Sequence, residues 1–145
     1  MGPSAGNDIP SPPSLEVIRE VHGHAIAPAR VLRGPGAWPR ALELLPGLVR
    51  RPLLIGRSAP TAPLRERLQA DGAAAGLEMR PSLLEHDCCE HDLSRLAAEA
   101  AGCDGVIAVG GGKVLDAGKL LAHRLGLACI TVPTSAATCA GWTAL

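Results

Sequence analysis

Apolar residues along this chain gather into short runs, separated by longer stretches in which they recur at helical spacing. Leu53-Leu54-Ile55-Gly56, Val106-Ile107-Ala108-Val109 and Cys129-Ile130-Thr131-Val132 are compact runs bounded by turn or polar residues, the pattern of buried strands. Leu77-Glu78-Met79 is a weaker strand signal, as is the run from Ala27 to Leu32 that precedes the turn Gly34-Pro35-Gly36. Between the runs lie four helical patterns. From Ala37 to Leu48, apolar positions fall at Leu42, Leu45 and Leu48, with Pro46 set to kink or end the helix. Leu64 to Ala75 places Leu64 and Leu68 one turn apart. A third helix is expected from Leu93 to Ala101, capped by Asp92, with Leu93, Leu96, Ala97 and Ala100 on one face. The fourth, Lys113 to Leu125, carries a stripe of Val114, Ala117, Leu121, Ala122 and Leu125, and Gly126 ends it.

Strands alternating with helices of about a dozen residues predict βαβ crossovers, hence an α/β fold with a Rossmann-type parallel sheet and flanking helices. Residues 1–26 are expected to form a disordered leader, since their first half is rich in Pro, Gly and Ser. The α/β domain then occupies 27–145, one domain's worth of a 145-residue chain.

Composition narrows the function. Two Trp and no Phe or Tyr leave Leu, Val, Ile and Ala to build the core, and remove the stacking platforms of single-strand nucleic-acid binders. Fourteen basic residues balance 14 acidic ones, so no charge excess draws the chain to phosphate backbones or anionic membranes. Nucleic acid and membrane are therefore not expected partners, and a cytoplasmic setting is. Five Cys, with Cys88 and Cys89 adjacent, make a poor disulfide framework and read as reduced thiols.

The candidate chemistry lies at two loops. Gly110-Gly111-Gly112-Lys113 joins the best strand to the best helix. Glycines there let backbone approach a phosphate, and the helix that follows offers unpaired N–H groups. The same run also suits a plain strand-to-helix turn, and it matches neither GxGxxG nor the P-loop pattern. The second loop, after Val132-Pro133, holds Thr134, Ser135, Thr138 and Thr143 among small residues. It could hydrogen-bond a ribose or pyrophosphate, or simply cap a following helix. The run His86-Asp87-Cys88-Cys89-Glu90-His91 consists of metal-ligating types. It lacks a distant partner pair, and we read it as a polar loop and assign no metal ligand.

Taken together, Gly110-Gly111-Gly112-Lys113-Val114-Leu115-Asp116-Ala117-Gly118-Lys119, then Ile130-Thr131-Val132-Pro133-Thr134, Ala137-Thr138 and Thr143-Ala144-Leu145 resemble the iron-containing alcohol dehydrogenase and glycerol dehydrogenase family. The resemblance implies an NAD- or NADP-dependent dehydrogenase acting on a small alcohol or polyol. Gly110, Gly111, Gly112 and Lys113 would hold the pyrophosphate, with Asp116 on the same helix turn. Thr134, Ser135, Thr138, Thr143 and Leu145 would line the path from adenine to nicotinamide. Two positions depart from the family pattern. Arg57 stands where NAD-preferring relatives place Asp, and can pair with a 2′-phosphate or lie on the surface. Cys139 stands where glycerol dehydrogenases place a substrate-contacting Asp, although a small buried thiol is the reading its type favours. The family's divalent Fe or Zn is implied to be held by a C-terminal all-helical domain, which we expect this chain to lack. Without that domain the chain is expected to be inactive alone, and the full-length form is a possible homo-oligomer. Other readings are a glycerol-1-phosphate dehydrogenase or dehydroquinate synthase-like relative, and a free-standing NAD(P)-binding or sensing module.

Overall fold

The computed structural model describes residues 28–136 and 140–141, so the expected leader lies outside the described residues. Helix α1 (Ala37–Leu44) gives way to a 3-10 turn at Leu45–Gly47, where Pro46 ends the α-helical ladder as its ring requires. Strand β1 (Pro52–Gly56) is buried along its whole length. A 3-10 turn (Ala59–Thr61) leads into α2 (Ala62–Ala74), followed by β2 (Arg80–Leu83) and α3 (Glu90–Glu99). Strand β3 (Gly105–Gly110) is wholly buried too. Helix α4 (Gly112–Leu125) ends at Gly126, whose φ of 65° needs a residue without Cβ. The last strand is β4 (Ala128–Pro133).

All strand pairings are parallel and the order is β2-β1-β3-β4. Alternation within the strands sorts side chains to two faces. Leu53, Ile55, Val106 and Ala108 pack beneath Leu93 and Leu96 of α3 and Val114, Ala117 and Leu121 of α4. Leu54, Ile107 and Val109 meet Leu45, Val49 and Leu68 on the opposite face. The result is a three-layer α/β sandwich with aliphatic cores on both sides of the sheet.

Several expectations shift. Residues 28–33 are exposed and form no strand, so the strand expected there does not form among the described residues. The strand expected at Leu77–Met79 forms at Arg80–Leu83 instead. Leu77 and Met79 turn into the α2-side core, while Pro81 sits on an edge strand where a missing N–H costs little. Leu64 and Leu125 are exposed rather than packed. Helix α3 begins two residues before Asp92, with Cys89 at its cap position. Asp92 is fully buried in the first turn and reaches backwards, accepting hydrogen bonds from the His86 backbone N–H (2.7 Å) and facing its ring Nδ1 (3.1 Å).

Where β1 and β3 begin, the Asp104 carboxylate accepts from the backbone N–H groups of Arg50 (2.7 Å) and Arg51 (2.8 Å). This clamp aligns two central strands across 54 residues of sequence. Asp104→Ala is expected to cost about 1 kcal/mol, the usual net value of such bonds where water can replace the acceptor. Urea unfolding would check it through a lower midpoint at unchanged slope.

Candidate functional site

Strand order determines where a ligand can enter. The crossover from β1 leads outward to β2, and that from β3 leads outward on the other side to β4. Between the carboxyl ends of β1 and β3 the connections therefore diverge, which opens a crevice at a topological switch point. A cavity of about 220 Å³ lies there, lined by Arg57, Ser58 and Thr61 after β1 and by residues 109–114, from the end of β3 into α4. A hollow of about 360 Å³ at Arg51, Glu78 and Arg80 sits at the opposite, amino ends of the strands, away from both loops singled out in the sequence.

The glycine loop is shaped by close packing. At Gly110 a Cβ would lie 3.0 Å from the Val114 side chain, so bare backbone is needed to turn there. Gly111 is the cap residue of α4, and its carbonyl accepts from Val114 and Leu115 (both 3.1 Å). The amides of Gly112 and Lys113 precede the helix's own hydrogen-bonding ladder and carry the positive end of the α4 dipole. A Cβ built on Gly111 would meet nothing within 4 Å. The open space in front of the loop is thus a cradle that a side chain would fill.

On the β1 side, the Arg65 side chain lies over Gly56, where a Cβ would have to push its guanidinium end aside. Its Nη1 donates to the Ser58 carbonyl (3.1 Å) and to Thr61 Oγ1 (2.6 Å), while the Ser58 and Thr61 hydroxyls lie 2.9 Å apart. These bonds tie the segment that follows Arg57 to the start of α2. Arg57 and Lys113 then converge on one acceptor: Asp87 Oδ1 takes hydrogen bonds from Arg57 Nη1 (2.9 Å) and Lys113 Nζ (2.7 Å). Lys113 first and Arg57 second hold the Asp87 carboxyl below its ordinary range. Asp87 is kept in place by its neighbours, since Asp92 grips His86 and Glu90 pairs with both Nη atoms of Arg124 (2.7 and 2.9 Å) on α4. In Asp92 itself, burial works to raise the carboxyl, but the His86 hydrogen bonds and charge outweigh it and hold it low.

The structure brings together Arg57, Gly110, Gly111, Gly112 and Lys113, five of the residues expected to bind cofactor. Thr134 joins through its backbone, its N–H donating to the Gly110 carbonyl (3.0 Å), so the two sequence loops touch. Thr134 and Ser135 are exposed beside the cavity rather than lining it. Asp116 does not line the cavity; it is half-exposed and pairs with Lys119 at 3.2 Å. Thr138, Cys139, Thr143 and Leu145 lie outside the described residues. Sequence reasoning missed Ser58, Thr61 and Asp87. The hydroxyls directly after Arg57 were a readable signal, whereas Asp87 meets its partners only through the fold. Cys88, Cys89, Cys103 and Cys129 are free thiols.

Among the described residues, Glu85, His86 and Asp92 bring their ligand atoms within 4.8 Å of one another. They do not suit a catalytic metal. Asp92 is committed to His86, the Arg95 guanidinium stands 3.8 Å from Glu85, and none of the three lines the cavity. Nor is any helix among the described residues long and apolar enough to cross a membrane.

Comparison with known proteins agrees with this architecture. Residues 28–145 match the model of the family described as iron-containing alcohol dehydrogenase. An uncharacterised oxidoreductase of Synechocystis sp. is 40% identical over 136 residues, covering 92% of this chain and 35% of its own length. Glycerol dehydrogenase of Escherichia coli is 31% identical over 121 residues, covering 82% of this chain and 33% of its own. The crystal structure of a probable glycerol dehydrogenase from Sinorhizobium meliloti superposes with a TM-score of 0.63 at 28% identity, covering 79% of this chain and 33% of that one. The chain spans about a third of the length of these relatives.

Proposed function

This chain belongs to the iron-containing alcohol dehydrogenase family, and we propose that its α/β domain holds NAD or NADP for a dehydrogenase acting on a small alcohol or polyol. The observation that carries the reading is the open glycine cradle at the switch point between β1 and β3, with two cations facing it. The amides of Gly112 and Lys113 would receive the pyrophosphate, aided by the helix dipole and the Lys113 ammonium. Arg57 would take the 2′-phosphate when NADP binds, and Ser58 and Thr61 offer hydroxyls for the adenosine ribose. The loop from Thr134 through Ser135, Thr138 and Thr143 to Leu145 would continue the path toward the nicotinamide, with Cys139 facing the alcohol. In such a dehydrogenase a divalent Fe or Zn supplies Lewis acidity at the alcohol oxygen. The domain's own part is to fix the dinucleotide so that hydride passes between the alcohol carbon and the nicotinamide ring. Glycerol dehydrogenase among its relatives supports a polyol as substrate.

Titration calorimetry with NADH and NADPH tests the reading. The 145-residue chain is expected to bind both. Lys113→Ala should weaken both about tenfold, the scale of one charge-assisted hydrogen bond, whereas Arg57→Ala should weaken NADPH alone. Absence of binding to either cofactor would overturn the proposal.

A further inference from the structure

The cations of the cleft already hold an anion. Arg57 follows β1 and Lys113 opens α4, and Asp87, 30 and 26 residues away in sequence, places one carboxylate oxygen between them. Two cations converging on one point form the arrangement that recognises a phosphate oxygen. The carboxylate is neither incidental nor loose, because Asp92 anchors its loop from inside the core and Glu90 anchors it to α4. We propose that Asp87 sets the choice between the two dinucleotides by occupying, on Arg57, the position that a 2′-phosphate would take. This rests on the cofactor site proposed above.

The two ligands meet Asp87 differently. The 2′-hydroxyl of NAD is a donor, so the carboxylate can stay on Arg57 and accept a hydrogen bond from it. The 2′-phosphate of NADP is an anion competing for the same guanidinium. It must displace a bound carboxylate and then sit beside its charge, and like charges at contact distance repel strongly. Arg57 gives the site capacity for the phosphate, and Asp87 charges an entry cost for using it. Lys113, released from Asp87, would serve the pyrophosphate common to both, so its share of the effect largely cancels between them.

Binding of NADPH and NADH to Asp87→Asn measures this directly. The amide keeps the shape of the side chain and removes its charge, and the side chain is 62% exposed, so the fold should tolerate the change. NADPH should bind about tenfold tighter and NADH within about threefold of wild type, the scale expected for one charge-assisted contact. Asp87→Ala should shift the ratio the same way. Arg57→Ala combined with Asp87→Asn should erase the NADPH gain, since no guanidinium remains to be freed. If the chain binds dinucleotide but Asp87→Asn leaves the ratio unchanged, or weakens both ligands equally as a mere positioning residue would, Asp87 is not the selector and the cofactor site still stands. If wild type and variants bind neither dinucleotide, both readings fall.

Discussion

Gly111→Val should abolish dinucleotide binding while leaving the fold intact. The backbone at Gly111 has φ −84° and ψ −173°, extended geometry that a β-branched residue adopts readily. A Cβ there meets no heavy atom within 4 Å, so the backbone neighbours leave room for a side chain. The change in stability should stay within about 1 kcal/mol, because restricting the unfolded chain favours the variant while losing glycine at the cap of α4 opposes it. The two methyls would instead fill the space in front of the Gly112 and Lys113 amides, where a phosphate has to lie against bare backbone. A loss of at least about 100-fold in affinity is expected, or ~2.7 kcal/mol. Gly110 would be a poorer probe. Its Cβ would press on Val114 at 3.0 Å, so lost binding there could reflect a displaced helix. Calorimetry with NADH and NADPH, set beside urea unfolding of the same variant, separates the two effects. Wild-type affinity in Gly111→Val would rule out this loop as the phosphate cradle.

The fold was legible because its strands are buried on both faces. Leu53–Gly56 and Val106–Val109 are continuous apolar runs, as central strands of a parallel sheet must be, and they formed where expected. Where a strand lies at an edge the pattern blurs. At β2 only Ser82 is buried, so Leu77 and Met79, which belong to the core beneath α2, supplied a false strand signal. The glycine loop was legible because close backbone approach needs glycine, and glycine is visible in a sequence. Its partners were not. Nothing in a linear reading ranks Asp87 above Asp104 or Asp116. One bridges the cleft's cations, another clamps two strand starts, and the third pairs along its own helix. For Asp87 and Asp104 the strand order decides the partners, and that order arises from crossovers that local periodicity does not encode. The same holds for overall charge, which is balanced across the chain yet locally concentrated in Arg57 and Lys113.

Gly118→Ala sets two effects of opposite sign against each other. In the interior of α4, alanine is worth roughly 1 kcal/mol more than glycine through helix propensity. Gly118, however, rests on β3, where a Cβ would lie 2.5 Å from the Cβ of Ala108. Carbon atoms pack at about 3.5–4.0 Å, and a Cβ has no rotamer through which to swing aside. Helix and strand would have to separate by about 1 Å in one of the tightest contacts of the core. Overpacking of this kind costs about 1–3 kcal/mol, at the upper end when both atoms are fixed to backbone. The clash should win, leaving Gly118→Ala about 2 kcal/mol less stable than wild type. Ala108→Gly removes the opposing methyl, so the double variant Gly118→Ala with Ala108→Gly should recover at least 1 kcal/mol relative to additivity, as expected for residues in direct contact. Affinity should follow stability here, unlike at Gly111. Lifting α4 also moves Gly112 and Lys113 away from Arg57 on the neighbouring strand, widening the cleft that a dinucleotide must bridge. A stabilising effect of Gly118→Ala would show that α4 can ride higher on the sheet at no cost, and that its closeness to β3 is not what positions the glycine loop.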